Sequence, residues 1–168
     1  MKKYKLGKRE GNDLCRVIAL RDFADVKKGD IGGRIQSKEN LSHEGDAWVY
    51  GNAWVSGNAQ VHGNAQVYGN AWVYGNAQVY GNAQVYGNAQ VHGNAWVYGN
   101  ALVTRGPINV IMKPFSITIT DNHVQVGCEL LRKDHLAKDG LAAVTKHEVD
   151  KKTVAKYRAI IKALVMAN

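Results

Sequence analysis

Between Gly45 and Thr104 the chain repeats one six-residue unit, Gly-Asn-Ala-x-Val-x, ten times without gaining or losing a residue. Asp46 is the only substitution at the Asn position. A unit this short cannot bury a core alone, so the copies must stack into one solenoid. Ala and Val stand two apart, and in an extended chain such residues point to the same side. Each unit therefore reads as a short strand, Ala-x-Val-x, with Ala and Val inward and both x residues outward. Gly-Asn then turns the corner, because both residues tolerate the left-handed region. A buried Val contributes about 1.5–3 kcal/mol, and the small Ala keeps the corners narrow.

Spacing alone leaves open how many units complete one coil. The pattern resembles the hexapeptide signature of the bacterial hexapeptide transferase superfamily. That resemblance implies a left-handed parallel β-helix with three units per coil, a trimer, and for much of the superfamily an acyltransferase using a coenzyme A thioester. The flanks are similar to hexapeptide-repeat proteins of phages and prophages. The lead-in runs from Asp22 to Gly33 and from Glu39 to Gly45, and the tail runs from Ser116 to Cys128. This second resemblance implies a phage or prophage source and no set chemistry.

With three units per coil, the outer positions fall into six columns. Those between Ala and Val are Trp48-Gln66-Gln84-Leu102, Trp54-Trp72-Gln90 and Gln60-Gln78-Trp96. Those after Val are Tyr50-Tyr68-Tyr86-Thr104, Ser56-Tyr74-His92 and His62-Tyr80-Tyr98. Such uncharged aromatic rows predict a binding or subunit face, with Trp48, Trp54, Trp72, Trp96, Tyr74, Tyr80, Tyr98, His62 and His92 as the candidate contacts.

The net charge of +8 sits at the ends: residues 1–44 carry +4, residues 105–168 carry +5, and the repeat holds only Asp46. Basic ends beside aromatic columns suit an anionic ligand such as a nucleotide, and nucleic acid less well. Two cysteines, Cys15 and Cys128, make no disulfide framework and suit a reducing cytoplasm, that of the host if the source is a phage. No signal peptide or membrane span is read from the apolar pattern.

Three regions follow. Residues 1–30 form a β-hairpin that closes one end, with strands at Tyr4–Leu6 and Leu14–Leu20. Residues 31–104 form the β-helix of about four coils, with a degenerate coil from Ile31 in which Ile35 and Leu41 take the Ala register and Ile31 the Val register. Residues 105–168 give a hairpin, Phe115–Thr120 with His123–Cys128, then helices: a short one from Asp134 to Gly140, a capping box Thr145–Glu148, and a last amphipathic helix docked on the rod or a neighbouring subunit. The fold class is mainly β.

Chemistry is sparse. Family acyltransferases use a catalytic histidine and loops inserted between coils, and this repeat has no insertion. His62 and His92, the alternative catalytic bases, fall on different faces. The zinc-binding branch needs a pair of histidines five apart that this chain lacks, and no Cys/His spacing suggests another metal. The expectation is a non-enzymatic, homotrimeric binding protein that engages a host factor or sequesters an anionic ligand, with no cofactor. The alternatives are an acyltransferase and a structural spacer in a virion or fibre.

Overall fold

The computed structural model describes residues 2–110, 117–127, 129–134 and 151–166. Phe115, Ser116, Cys128, the Asp134–Gly140 helix beyond its first residue and the Thr145–Glu148 box lie outside the described residues. The repeat forms ten two-residue strands, β4 (Trp48–Val49), β5 (Trp54–Val55), β6 (Gln60–Val61), β7 (Gln66–Val67), β8 (Trp72–Val73), β9 (Gln78–Val79), β10 (Gln84–Val85), β11 (Gln90–Val91), β12 (Trp96–Val97) and β13 (Leu102–Val103). They stack in parallel on three faces, β4-β7-β10-β13, β5-β8-β11 and β6-β9-β12. Trp48 pairs with Gln66 and Trp54 with Trp72, so each full coil takes eighteen residues and the six columns stand as read from the sequence. The strands are shorter than the four residues expected. The ladder nevertheless runs past them, since the N–H after each Val also donates to the next coil, as Tyr68 does to Val85 at 2.8 Å.

Every Ala and Val of the repeat is buried in one continuous core. At five corners (Asn52, Asn64, Asn70, Asn76 and Asn82) the Asn N–H donates to the Gly carbonyl one coil on, as Asn64 does to Gly81 at 2.8 Å. The corner glycines have φ between +56° and +73°. A Cβ on Gly69 would also stand 3.0 Å from the Gly87 oxygen. Two independent constraints therefore hold glycine at the corner.

The N-terminal strands β1 (Tyr4–Arg9) and β2 (Cys15–Ala19) form the expected hairpin around a turn at Gly11–Asp13. The hairpin closes this end by extending one solenoid face: β2 pairs with β3 (Ile31–Ile35), and β3 pairs in parallel with β5. Here the structure corrects the reading of the first coil. Ile35 pairs with Val55 and Leu41 with Val61, so both occupy the Val register, not the Ala register. Ile31 lies outside it, 67% exposed and opposite Ile18. The reason is two extra residues between Leu41 and Val49, which lengthen this coil from eighteen to twenty. The addition accommodates His43, which stacks on Tyr4 at 4.2 Å and accepts the Lys3 N–H at 3.3 Å.

The first coil leaves corner carbonyls with no coil before them, and side chains replace the missing N–H groups. The buried Lys3 ammonium donates to Gly45 O at 3.2 Å and Ala47 O at 2.7 Å. Arg16 donates to Gly51 O at 2.6 Å, and the buried Asn40 amide donates to Gly57 O and Ala59 O at 2.9 and 2.8 Å. Asp46 now has a physical account: its charge opposes the buried Lys3 ammonium, which burial pushes down to about 8. At the far end acceptors complete the last coil. Asn122 Oδ1 takes the Leu102 N–H at 2.8 Å, and Asp121 Oδ2 takes that of Thr104 at 2.6 Å.

Asp121 and Asn122 belong to a four-stranded antiparallel sheet, β14 (Ile108–Val110), β15 (Ile117–Ile119), β16 (His123–Val126) and β17 (Glu129–Arg132). The helix α1 (Lys151–Met166) buries Val154, Tyr157 and Ile161 against Ile117, Ile119, Val124 and Val126, forming a second core. The helix thus docks on this sheet, not on the rod as expected. A sheet with one apolar face needs such a partner, and an amphipathic helix supplies it.

Candidate ligand-binding face

The predicted site residues separate onto three faces. On β6-β9-β12, His62, Tyr80 and Tyr98 form a continuous stack, with ring centroids 4.9 Å apart and interplanar angles of 6° and 12°. Trp96 stands on the same face, 42% exposed. On β5-β8-β11, Tyr74 stacks on His92 at 5.2 Å beside the Trp54–Trp72 pair, whose rings meet edge to face at 4.2 Å. The eighteen-residue period places like rings at stacking distance without any special device.

Trp48 departs from the expected outer row. It is 1% exposed, with Phe23 edge-on at 5.2 Å and Tyr4 at 6.2 Å. The lead-in folds over it, and Gly32 lacks the Cβ that would lie 2.9 Å from the indole. Trp48 therefore anchors the N-terminal segment and offers no surface to a ligand.

His62 and His92 are on different sheets and do not converge. Neither imidazole bonds to a carboxylate or hydroxyl among the described residues. Burial lowers the pKa of His62, so the ring is neutral near pH 7. No group of three metal-ligating side chains occurs among the described residues.

The face with the most polar chemistry carries Trp54 and Trp72. Arg34 pairs with Trp54, which puts a guanidinium at the head of the tryptophan column. A strict eighteen-residue period would have placed Gln36 there; the longer first coil shifts Arg34 in. Ile35 and Leu41 are too large for the corner that accepts only Ala in every later coil, and this size mismatch was the legible signal. Arg34 Nε donates to Glu10 at 2.7 Å, while Arg16 Nε lies 3.8 Å from the same carboxylate. The hydrogen bond from Arg34 holds the Glu10 carboxyl below its ordinary range, with both arginine charges adding to the effect. Two cations on one carboxylate leave one positive charge uncompensated. Beside them a cleft of about 390 Å³ is lined by Asn12, Arg34, Asn52, Trp54, Asn70 and Trp72, together with Gly11 and Leu14.

The family model for the YdcK beta solenoid repeat matches residues 47–63, 65–81, 77–93 and 83–99. The chain is a β-solenoid repeat protein. No curated protein matches it. Among the described residues no helix is long and apolar enough to cross a membrane.

Proposed function

We propose that this chain is a non-enzymatic, homotrimeric binding protein of the hexapeptide β-helix kind, encoded by a phage or prophage. It engages a host factor or sequesters a small anionic ligand, and in doing so counters host defence. The observation that carries the reading is the tryptophan face: an exposed, uncharged aromatic column that ends on an arginine pair with surplus positive charge. That combination favours a ligand with an apolar ring and an anionic group. The resemblance of the flanks supports the phage source. The flat His62–Tyr80–Tyr98 stack with exposed Trp96 supports a subunit interface on a second face.

An acyltransferase is disfavoured on geometry. The coils carry no loop between Gly45 and Thr104 to shape an acceptor site, and the two histidines stand apart in aromatic stacks. The test is incubation with acetyl-CoA and a panel of amine and hydroxyl acceptors. No release of coenzyme A is expected; release abolished by His62→Ala or His92→Ala would overturn the proposal. Native mass spectrometry should give a trimer mass, and a monomer mass would remove the subunit assignment. Recovery of the ligand-free protein as a component of purified virions would favour the spacer.

A further inference from the structure

Resting on that binding role, we infer that the cleft between the Gly11–Asp13 turn and the Trp54–Trp72 column is a nucleotide site, taking one heteroaromatic base and one phosphate group. Its volume of about 390 Å³ lies within the range of small-ligand pockets, about 300–1,000 Å³. Trp72 is 40% exposed, and edge contact with Trp54 holds it in place, so one indole surface stands ready to stack.

The corner asparagines give the second argument. Side-chain ladders join Asn58 to Asn76 and Asn94, Asn64 to Asn82 and Asn100, and Asn70 to Asn88. The step from Asn52 to Asn70 is the one missing rung among these corner asparagines, and it falls in the cleft. Among the described residues the Asn52 side chain makes no hydrogen bond, and Asn70 commits only its amide N–H, to Asn88. Donor and acceptor side by side are the chemistry that reads the edge of a base.

Charge supplies the third. Arg34 commits only its Nε to Glu10, and its terminal nitrogens donate to no described residue. They are free to take a phosphate at the rim. The face also argues against a longer strand. Beyond Arg34 the column runs Trp54, Trp72 and Gln90, three coils or roughly 14 Å without a cation, and Arg105 lies beside Gln90 at its far end. A polynucleotide would bring several phosphates across that uncharged stretch, whereas a single nucleotide brings none.

The test is intrinsic tryptophan fluorescence and calorimetry on the full chain. The probes are the nucleoside monophosphates of the RNA bases, cyclic AMP, adenosine, inorganic phosphate, cellobiose and a short oligodeoxythymidylate. At least one monophosphate or cyclic AMP should quench the fluorescence, and which of them does so tells a terminal phosphate from a diester. Adenosine should bind about tenfold more weakly than its nucleotide. Trp72→Ala and Arg34→Gln should each weaken binding about tenfold. Asn52→Leu, at an exposed corner, should weaken it with no change in melting temperature. The assignment is overturned if no nucleotide binds at millimolar concentration, if Trp72→Ala binds as well as the parent, or if cellobiose or the oligonucleotide binds instead. Loss of the nucleotide result with the trimer intact and no coenzyme A released removes this site alone; coenzyme A release removes the parent reading.

Discussion

At the scale of the residue, the repeat tolerates little because each position answers to more than one constraint. Gly69 and Gly93 separate two of these. Both have φ near +67°, at +67° and +66°, but a Cβ on Gly69 meets the next coil while one on Gly93 meets nothing within 4 Å. Gly93→Ala should therefore cost only the left-handed penalty, about 1–2 kcal/mol. Gly69→Ala should cost distinctly more, and urea denaturation of the two variants would show the difference. Lys3 gives a pH prediction. Burial lowers its pKa from 10.5 to about 8, with Asp46 opposing the shift and Arg21 adding to it. The unfolded chain holds this proton more tightly, so the cost of burial is full below about pH 8 and lifts as pH rises toward 10.5. Tyr4 acts in the opposite sense. Burial and then Glu39 raise it from 10.0 to about 12, so its contribution is complete below pH 10 and is lost as pH climbs toward 12. Stability should rise between about pH 8 and 10 and fall above, and Lys3→Met should abolish the rise while sparing the fall. The glycines and the inward Ala and Val were legible in the sequence, since backbone sterics and a period of two dictate them. Lys3 was not, because nothing local marks a lysine that must travel more than forty residues to meet Gly45 and Ala47.

At the scale of the element, a two-residue strand has no stability of its own, so the ends of the stack decide whether it persists. Asn40 carries one corner of the first coil, being 1% exposed and donating to two carbonyls. Asn40→Ala should cost about 1–3 kcal/mol, the penalty of leaving a buried acceptor unpaired. Asn40→Asp should be worse, since a carboxylate would face two carbonyl oxygens; thermal melting of both variants checks the order. The strands were legible from the six-residue period, whereas the three faces and the six columns needed the three units per coil that the family resemblance implied. The first coil was misread because the eighteen-residue rule was carried past its limit, into a coil with two more residues. That one slip also hid half of the candidate site. Trp54 and Trp72 were placed correctly in their column, though Trp48 was not, and Arg34 and Asn12 come from the irregular lead-in, where hydrophobic size was the sole guide. The C-terminal hairpin was legible from alternation, whereas the docking of α1 on it depended on β14 and β17 completing an apolar face.

At the scale of the molecule, the two ends are locked to particular faces. Lys3, Arg16 and Asn40 serve three different corners at one end, while Asp121 and Asn122 serve the β13 edge at the other. Removing residues 63–80 deletes one whole coil and restores every column, so the shortened chain should melt cooperatively with its aromatic stacks intact. Removing six or twelve residues rotates one end against the other and should abolish the cooperative transition; circular dichroism would distinguish these outcomes. The corner bonds run in one direction along the rod, with carbonyls presented at the start and N–H groups at the finish. A rod stripped of both end pieces would then be its own complement, since the finish of one copy offers what the start of the next lacks. Head-to-tail association of that kind never closes, and it grows into filaments. The end pieces are in this sense the device that keeps a self-templating sequence a discrete particle.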